Sequence, residues 1–72
     1  MEYEATITKI CFDIGINGML VKFNGETEGF VSLSNLTPKQ RLKFPQNMTV
    51  GNTINVKIIR TDGIYNDLVA LD

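Results

Sequence analysis

The sequence has no histidine, no tryptophan, one cysteine and two prolines among its 72 residues. Without histidine the commonest general acid–base group is missing, and Cys11 has no imidazole partner to activate its thiol. No enzymatic activity is expected. A lone cysteine cannot form an internal disulfide, so the framework that braces small secreted domains is excluded and a reducing, cytoplasmic address is expected. The chain opens on the acidic Glu2 and Glu4, with neither the basic start nor the apolar stretch of a secretion signal. No apolar run approaches the roughly 18 residues a membrane span needs. The Asp and Glu side chains lack metal-ligand spacing, and the glycines fit no phosphate-cradling motif, so neither metal nor cofactor is expected. A basic surplus is also missing: seven basic against eight acidic side chains leave a net charge of -1. Strong nucleic-acid binders usually carry that surplus, because phosphate neutralisation dominates their affinity.

What is present is an ordinary globular composition, 43% hydrophobic, which is too apolar for a disordered tail. A chain of this length supports one core, so residues 1–72 are read as a single domain and a monomer. It buries only about 60% of its unfolded surface, and its stability margin is thin.

Hydrophobic periodicity points to strands. Tyr3 to Phe12 is rich in β-branched and aromatic residues, but its period-two phase is lost near Lys9 and Ile10, as a bulge in a closing barrel would cause. Asp13 to Gly18, with Asn17-Gly18 inside it, is expected to turn. Met19 to Phe23 is the second strand, Asn24-Gly25 a hairpin turn, and Gly29 to Leu33 the third strand. Pro38 to Phe44 is expected to be a short helix or a structured loop, with Thr37 as N-cap, Pro38 at the first helical position and Pro45 ending it. After a turn at Val50 to Asn52, Thr53 to Arg60 alternates, with Ile54, Val56 and Ile58 on one face. Asp62-Gly63 starts a turn, and Asp67 to Leu71 is the last strand. Five strands with the only helical element between the third and fourth match the order of an oligonucleotide-binding (OB) barrel. Another small five-stranded barrel or sandwich is the alternative.

Four phrases resemble the S1 RNA-binding domain family, in order and across nearly the whole chain. Ala5-Thr6-Ile7-Thr8-Lys9-Ile10 resembles its opening strand, and Gly18-Met19-Leu20-Val21-Lys22-Phe23 its second strand. Glu28-Gly29-Phe30-Val31-Ser32-Leu33-Ser34-Asn35-Leu36 resembles the family's Glu-Gly-Leu-Val-His-Ile-Ser-Glu-Leu. The stretch from Val50 to Asp62 resembles Val-Gly-Asp-x-Val-x-Val-Lys-Val-Ile-x-Ile-Asp. Ser32 to Leu36 and Ile59 to Asp62 are also similar to the S1-like domain in the alpha subunit of the eukaryotic initiator-tRNA-delivering factor. The resemblance implies an all-β, five-stranded OB barrel that binds single-stranded RNA in translation or RNA metabolism.

The family's contact set is mostly replaced. Its two second-strand aromatics fall at Asn17 and Leu20, its histidine at Ser32 and its aspartate at Asp62, and its arginine falls where this chain has no cation. Asn17, Leu20, Lys22, Ser32 and Asp62 are the candidate contacts on the barrel. Lys39, Arg41 and Lys43 are candidate phosphate contacts, on one side of an extended loop or spread around a helix. Phe23 and Phe30 are expected in the core, Phe44 as an anchor for its loop, and Phe12 and Tyr65 either as exposed stacking platforms or as packing. The lost aromatics and the near-zero net charge suit the alternative, a barrel that docks onto a protein partner.

Overall fold

A computed structural model describes residues 2–71 of the chain; Met1 and Asp72 lie outside it. Strands β1 (Glu2–Asp13), β2 (Ile16–Phe23) and β3 (Thr27–Ser32) come first, followed by a 3₁₀ turn (Leu33–Asn35) and helix α1 (Pro38–Lys43). Strands β4 (Thr53–Arg60) and β5 (Asn66–Leu71) complete the order. The sheet closes as β1-β2-β3-β5-β4, with β4 returning to β1. All pairs are antiparallel except β3 with β5. The expected all-β barrel, with one short helix between the third and fourth strands, is the observed fold.

The first strand can serve two neighbours because it bends. Its first half pairs with β4 from Glu2 opposite Lys57 to Thr6 opposite Thr53, and its second half runs along β2 as far as Asp13 opposite Ile16. Ile7 lies opposite Val21 and Lys9 opposite Leu20, so Thr8 is the extra residue of a bulge. The Thr8 hydroxyl donates to the Leu20 carbonyl at 3.1 Å and holds the kink. This is the phase loss read near Lys9 and Ile10, placed one residue earlier.

Inward-facing positions alternate as a half-buried strand requires. Met19, Val21 and Phe23 of β2 meet Ala5 and Ile7 of β1, Val31 of β3, Val56 of β4, and Leu68 and Ala70 of β5. Leu36 joins this core, and Phe44 and Met48 from the segment after β3 pack against it. Phe23 is in the core as expected, with its ring centroid 4.8 Å from that of Tyr3 and the two rings tilted by 45°.

Two expectations need correction. Asn17-Gly18 is not a turn: Ile14 and Gly15 make the turn, and β2 starts at Ile16, three residues earlier than expected. Gly15 takes a positive φ of 83° there, which glycine adopts without strain. Phe30 is not a core residue. Gly29 takes the inward position of β3, so alternation turns Phe30 to the outer wall. Helix α1 starts where expected, with Pro38 at its first position and Thr37 as cap. The 3₁₀ turn Leu33–Asn35 leads into it. Among the described residues no helix is long and apolar enough to cross a membrane.

Candidate nucleic-acid interface

The outer wall of β1, β2 and β3 follows from the same alternation. Opposite the inward set, β2 presents Ile16, Gly18, Leu20 and Lys22, and β3 presents Glu28, Phe30 and Ser32. Beyond its bulge β1 presents Lys9 and Cys11, opposite Leu20 and Gly18. Leu20 lies opposite Phe30, and the Phe30 ring reaches diagonally over Gly18. Tyr65, in the connection between β4 and β5, folds against this wall. Cys11, Ile16, Leu20, Phe30 and Tyr65 together line a slot of about 300 Å³ without a charged side chain. Tyr65 keeps 39% of its surface exposed.

A second, shallow hollow of about 630 Å³ lies at the end of the barrel, lined by Gly15, Asn17, Ser32, Leu33, Ser34 and Arg41. Ser32 follows Phe30 by two residues on the same face of β3, which puts this hollow next along the strand. Polar groups meet in it: the Ser32 and Ser34 hydroxyls are 3.1 Å apart, and the Arg41 guanidinium lies beside them. Arg41 Nη1 donates to the Leu36 carbonyl at 2.8 Å and to the Ser34 carbonyl at 3.4 Å. A guanidinium has five N–H donors, so this anchoring leaves others for a ligand.

The residues singled out in the sequence are therefore distributed. Asn17, Ser32 and Arg41 come together in the shallow hollow, and Leu20 stands in the apolar slot. Lys39 and Lys43 border a different hollow beside Thr53, Ile54 and Leu71, because a helix sends alternating residues to different sides. Lys22 is paired with Glu26 at 3.2 Å. Asp62 lies 3.6 Å from Arg60, which also meets Asp67 at 3.0 Å, so the Arg60 charge is shared between two carboxylates. Lys9 makes no ion pair within 4 Å among the described residues, and it stands on the wall directly across from Leu20. Phe12 leaves the wall: it meets Phe44 edge-on at 5.8 Å at the end of the barrel, and Phe44 anchors its loop as expected. Among the described residues no three His, Cys, Asp or Glu side chains gather as metal ligands would.

Sequence reasoning missed Phe30 and gave no place to Ile16. The available signal was Gly29: a glycine at an inward strand position shifts the next aromatic to the outside.

No family model matches the chain, and no curated protein matches its sequence. Among solved structures, that of GSP13 from Bacillus subtilis superposes with a TM-score of 0.68 over 97% of this chain at 21% sequence identity. This chain spans 51% of the length of that one. The likeness is one of fold, and it agrees with the strand order, the parallel β3–β5 closure and the position of the helix: the chain is a five-stranded barrel of the OB type.

Proposed function

We propose that this barrel binds single-stranded RNA with modest affinity through the outer wall of β2 and β3 and the connection preceding β5. The observation that carries the reading is the placement of two aromatic rings, Phe30 and Tyr65, on the open wall of a closed OB barrel. Single-strand binding on such barrels combines stacking surfaces with cations that track the phosphates. Here the stacking surface is present and the cations are few, which suits weak binding. The ordered S1-like phrases of the sequence support the same reading. The proposal takes the protein to be a cytoplasmic monomer, without catalytic activity, acting in translation or RNA metabolism.

Fluorescence anisotropy of a short unstructured RNA, titrated with the protein at low salt, tests the reading. Saturable binding with a dissociation constant between micromolar and roughly millimolar is expected. A flat titration up to millimolar protein overturns it.

A protein-docking barrel is the second reading, favoured by one specific observation. Ile14 and Ile64, in the β1–β2 turn and the β4–β5 connection, are almost wholly exposed at 103% and 95%. Apolar side chains at loop tips beside an apolar slot are the kind of patch that proteins recognise. Chemical-shift mapping with RNA separates the two: perturbations gathered on β2, β3 and Tyr65 support the first reading, and their absence leaves the second.

A further inference from the structure

The wall combines an uncharged slot, two aromatic rings and very few free cations, and these fix how a strand of RNA can be held. The slot is lined by Cys11, Ile16, Leu20, Phe30 and Tyr65, none of which can neutralise a phosphate. Its size of about 300 Å³ suits one flat group and its immediate surroundings, not a run of nucleotides. The cations around it are mostly engaged. Lys22 pairs with Glu26, Arg60 is shared by Asp62 and Asp67, and one nitrogen of Arg41 is held by two carbonyls while its other donors stay free. Lys9 is the exception: it is exposed, has no carboxylate partner among the described residues, and extends from β1 opposite Leu20.

We infer that the wall holds a single unpaired base against Phe30 and Tyr65 over Leu20, with Lys9 as the chief phosphate contact, so that binding is driven by stacking and depends little on salt. The inference deepens the RNA-binding reading above and rests on it. The occupant is identified by complementarity: a base has an apolar face for the rings, and its phosphate carries the charge that Lys9 lacks a partner for. An apolar peptide side chain would fill the slot equally well but would leave Lys9 without a role.

The salt dependence is where this site differs from an ordinary basic groove. For single strands the logarithm of the binding constant falls with the logarithm of salt concentration with a slope of about -0.7 per phosphate neutralised. One contact at Lys9 and at most one more at the free donors of Arg41 give a slope of about -0.7 to -1.4. Raising salt from about 50 to 200 mM therefore weakens binding only about threefold to sevenfold, where a groove with many phosphate contacts loses orders of magnitude.

The experiment titrates the whole chain with a fluorescein-labelled oligouridylate at several salt concentrations, alongside Phe30→Leu, Tyr65→Leu, Lys9→Ala and Lys57→Ala. Lys57 lies on β4, outside the wall. Thermal melts of each variant separate lost contacts from lost folding. Phe30→Leu and Tyr65→Leu are each expected to weaken binding at least about fivefold with the salt slope unchanged, since base stacking contributes that much or more. Lys9→Ala is expected to flatten the slope by about 0.7, and Lys57→Ala to change neither affinity nor slope. If RNA binds but with a slope steeper than about -3, the single-base site is overturned and the RNA reading survives; if folded Phe30→Leu and Tyr65→Leu bind like the parent, the slot is not the site and RNA is held by a surface other than this wall. If no RNA binds at low salt, both fall together.

Discussion

A Cβ placed on Gly18 would lie 2.3 Å from the Val31 carbonyl oxygen, 2.6 Å from the tip of the Phe30 ring and 2.9 Å from the Ser32 Cα. The ring can swing aside, but the carbonyl and the Cα belong to the neighbouring strand and cannot move without opening the β2–β3 ladder. The glycine is therefore required by close approach, and its φ of 158° adds to the difficulty of replacing it. The sequence shows why this was hard to read. Asn17-Gly18 is a turn pair by type, and only the partner strand reveals that the glycine makes room for Phe30 inside a ladder. The two aromatics of the wall were similarly hidden: Phe30 stands in a phrase whose family counterpart is aliphatic, and Tyr65 is in an irregular connection that periodicity does not reach. Gly18→Ala is expected to destabilise by about 1–3 kcal/mol, as other forced overpacking does. For a domain of this size that lowers the melting temperature by about 4–8 °C per kcal/mol, measurable by circular dichroism. A variant melting within a degree or two of the parent would show that the β2–β3 approach is looser than these distances require.

Elements with strong local chemistry were the most legible. Thr53 to Arg60 forms β4 with the expected bounds, because its inward face is set by Val56 between the half-buried Ile54 and Ile58, and the register slips only after Ile58. Helix α1 has only six residues, too few to stand on propensity alone, so its ends and its anchoring decide whether it forms. The Thr37 hydroxyl accepts from the Gln40 N–H at 3.2 Å, and the Gln40 side chain accepts from the Thr37 N–H at 3.0 Å, a reciprocal capping box. Arg41 then ties the helix back to the carbonyls of Ser34 and Leu36. The Thr-Pro pair announced the cap, whereas the 3₁₀ turn depends on the Leu33 carbonyl meeting the Leu36 N–H once both are placed by the barrel. Thr37→Ala is expected to cost about 1 kcal/mol, within the range for lost caps, with a matching fall in the urea midpoint. Its effect on RNA affinity should be small, since Thr37 borders the hollow of Lys39 and Lys43 and not the slot. An unchanged urea midpoint would mean that the helix is held by its tertiary anchors alone.

At the scale of the whole molecule, the order of five strands and one helix limited the topology to a few solutions, and the S1-like phrases selected the barrel. What no local pattern could give is the closure, because β3 and β5 pair in parallel across more than thirty residues of intervening chain. That pairing sets Gly29 beside Asn66 and Val31 beside Leu68. It is reinforced where the Asn66 amide donates to the Glu28 carbonyl at 3.1 Å and the Asn35 amide to the Leu68 carbonyl at 3.4 Å. A Cβ on Gly29 would come within 2.5 Å of Leu68 Cδ1 and 2.9 Å of its Cγ. The two positions are thus sterically coupled across the closure, although neither is near the other in sequence. Leu68→Ala alone is expected to cost about 2–5 kcal/mol through lost burial and a cavity, a large share of the margin of so small a domain. Gly29→Ala alone is expected to cost about 1–3 kcal/mol through the clash. Combined, they should be less harmful than their sum by at least about 0.5 kcal/mol, because the shortened side chain vacates the space the new methyl needs. Urea unfolding of the parent, the two single variants and the double variant measures the difference. Strict additivity would mean that β3 and β5 do not approach each other as a closed barrel requires.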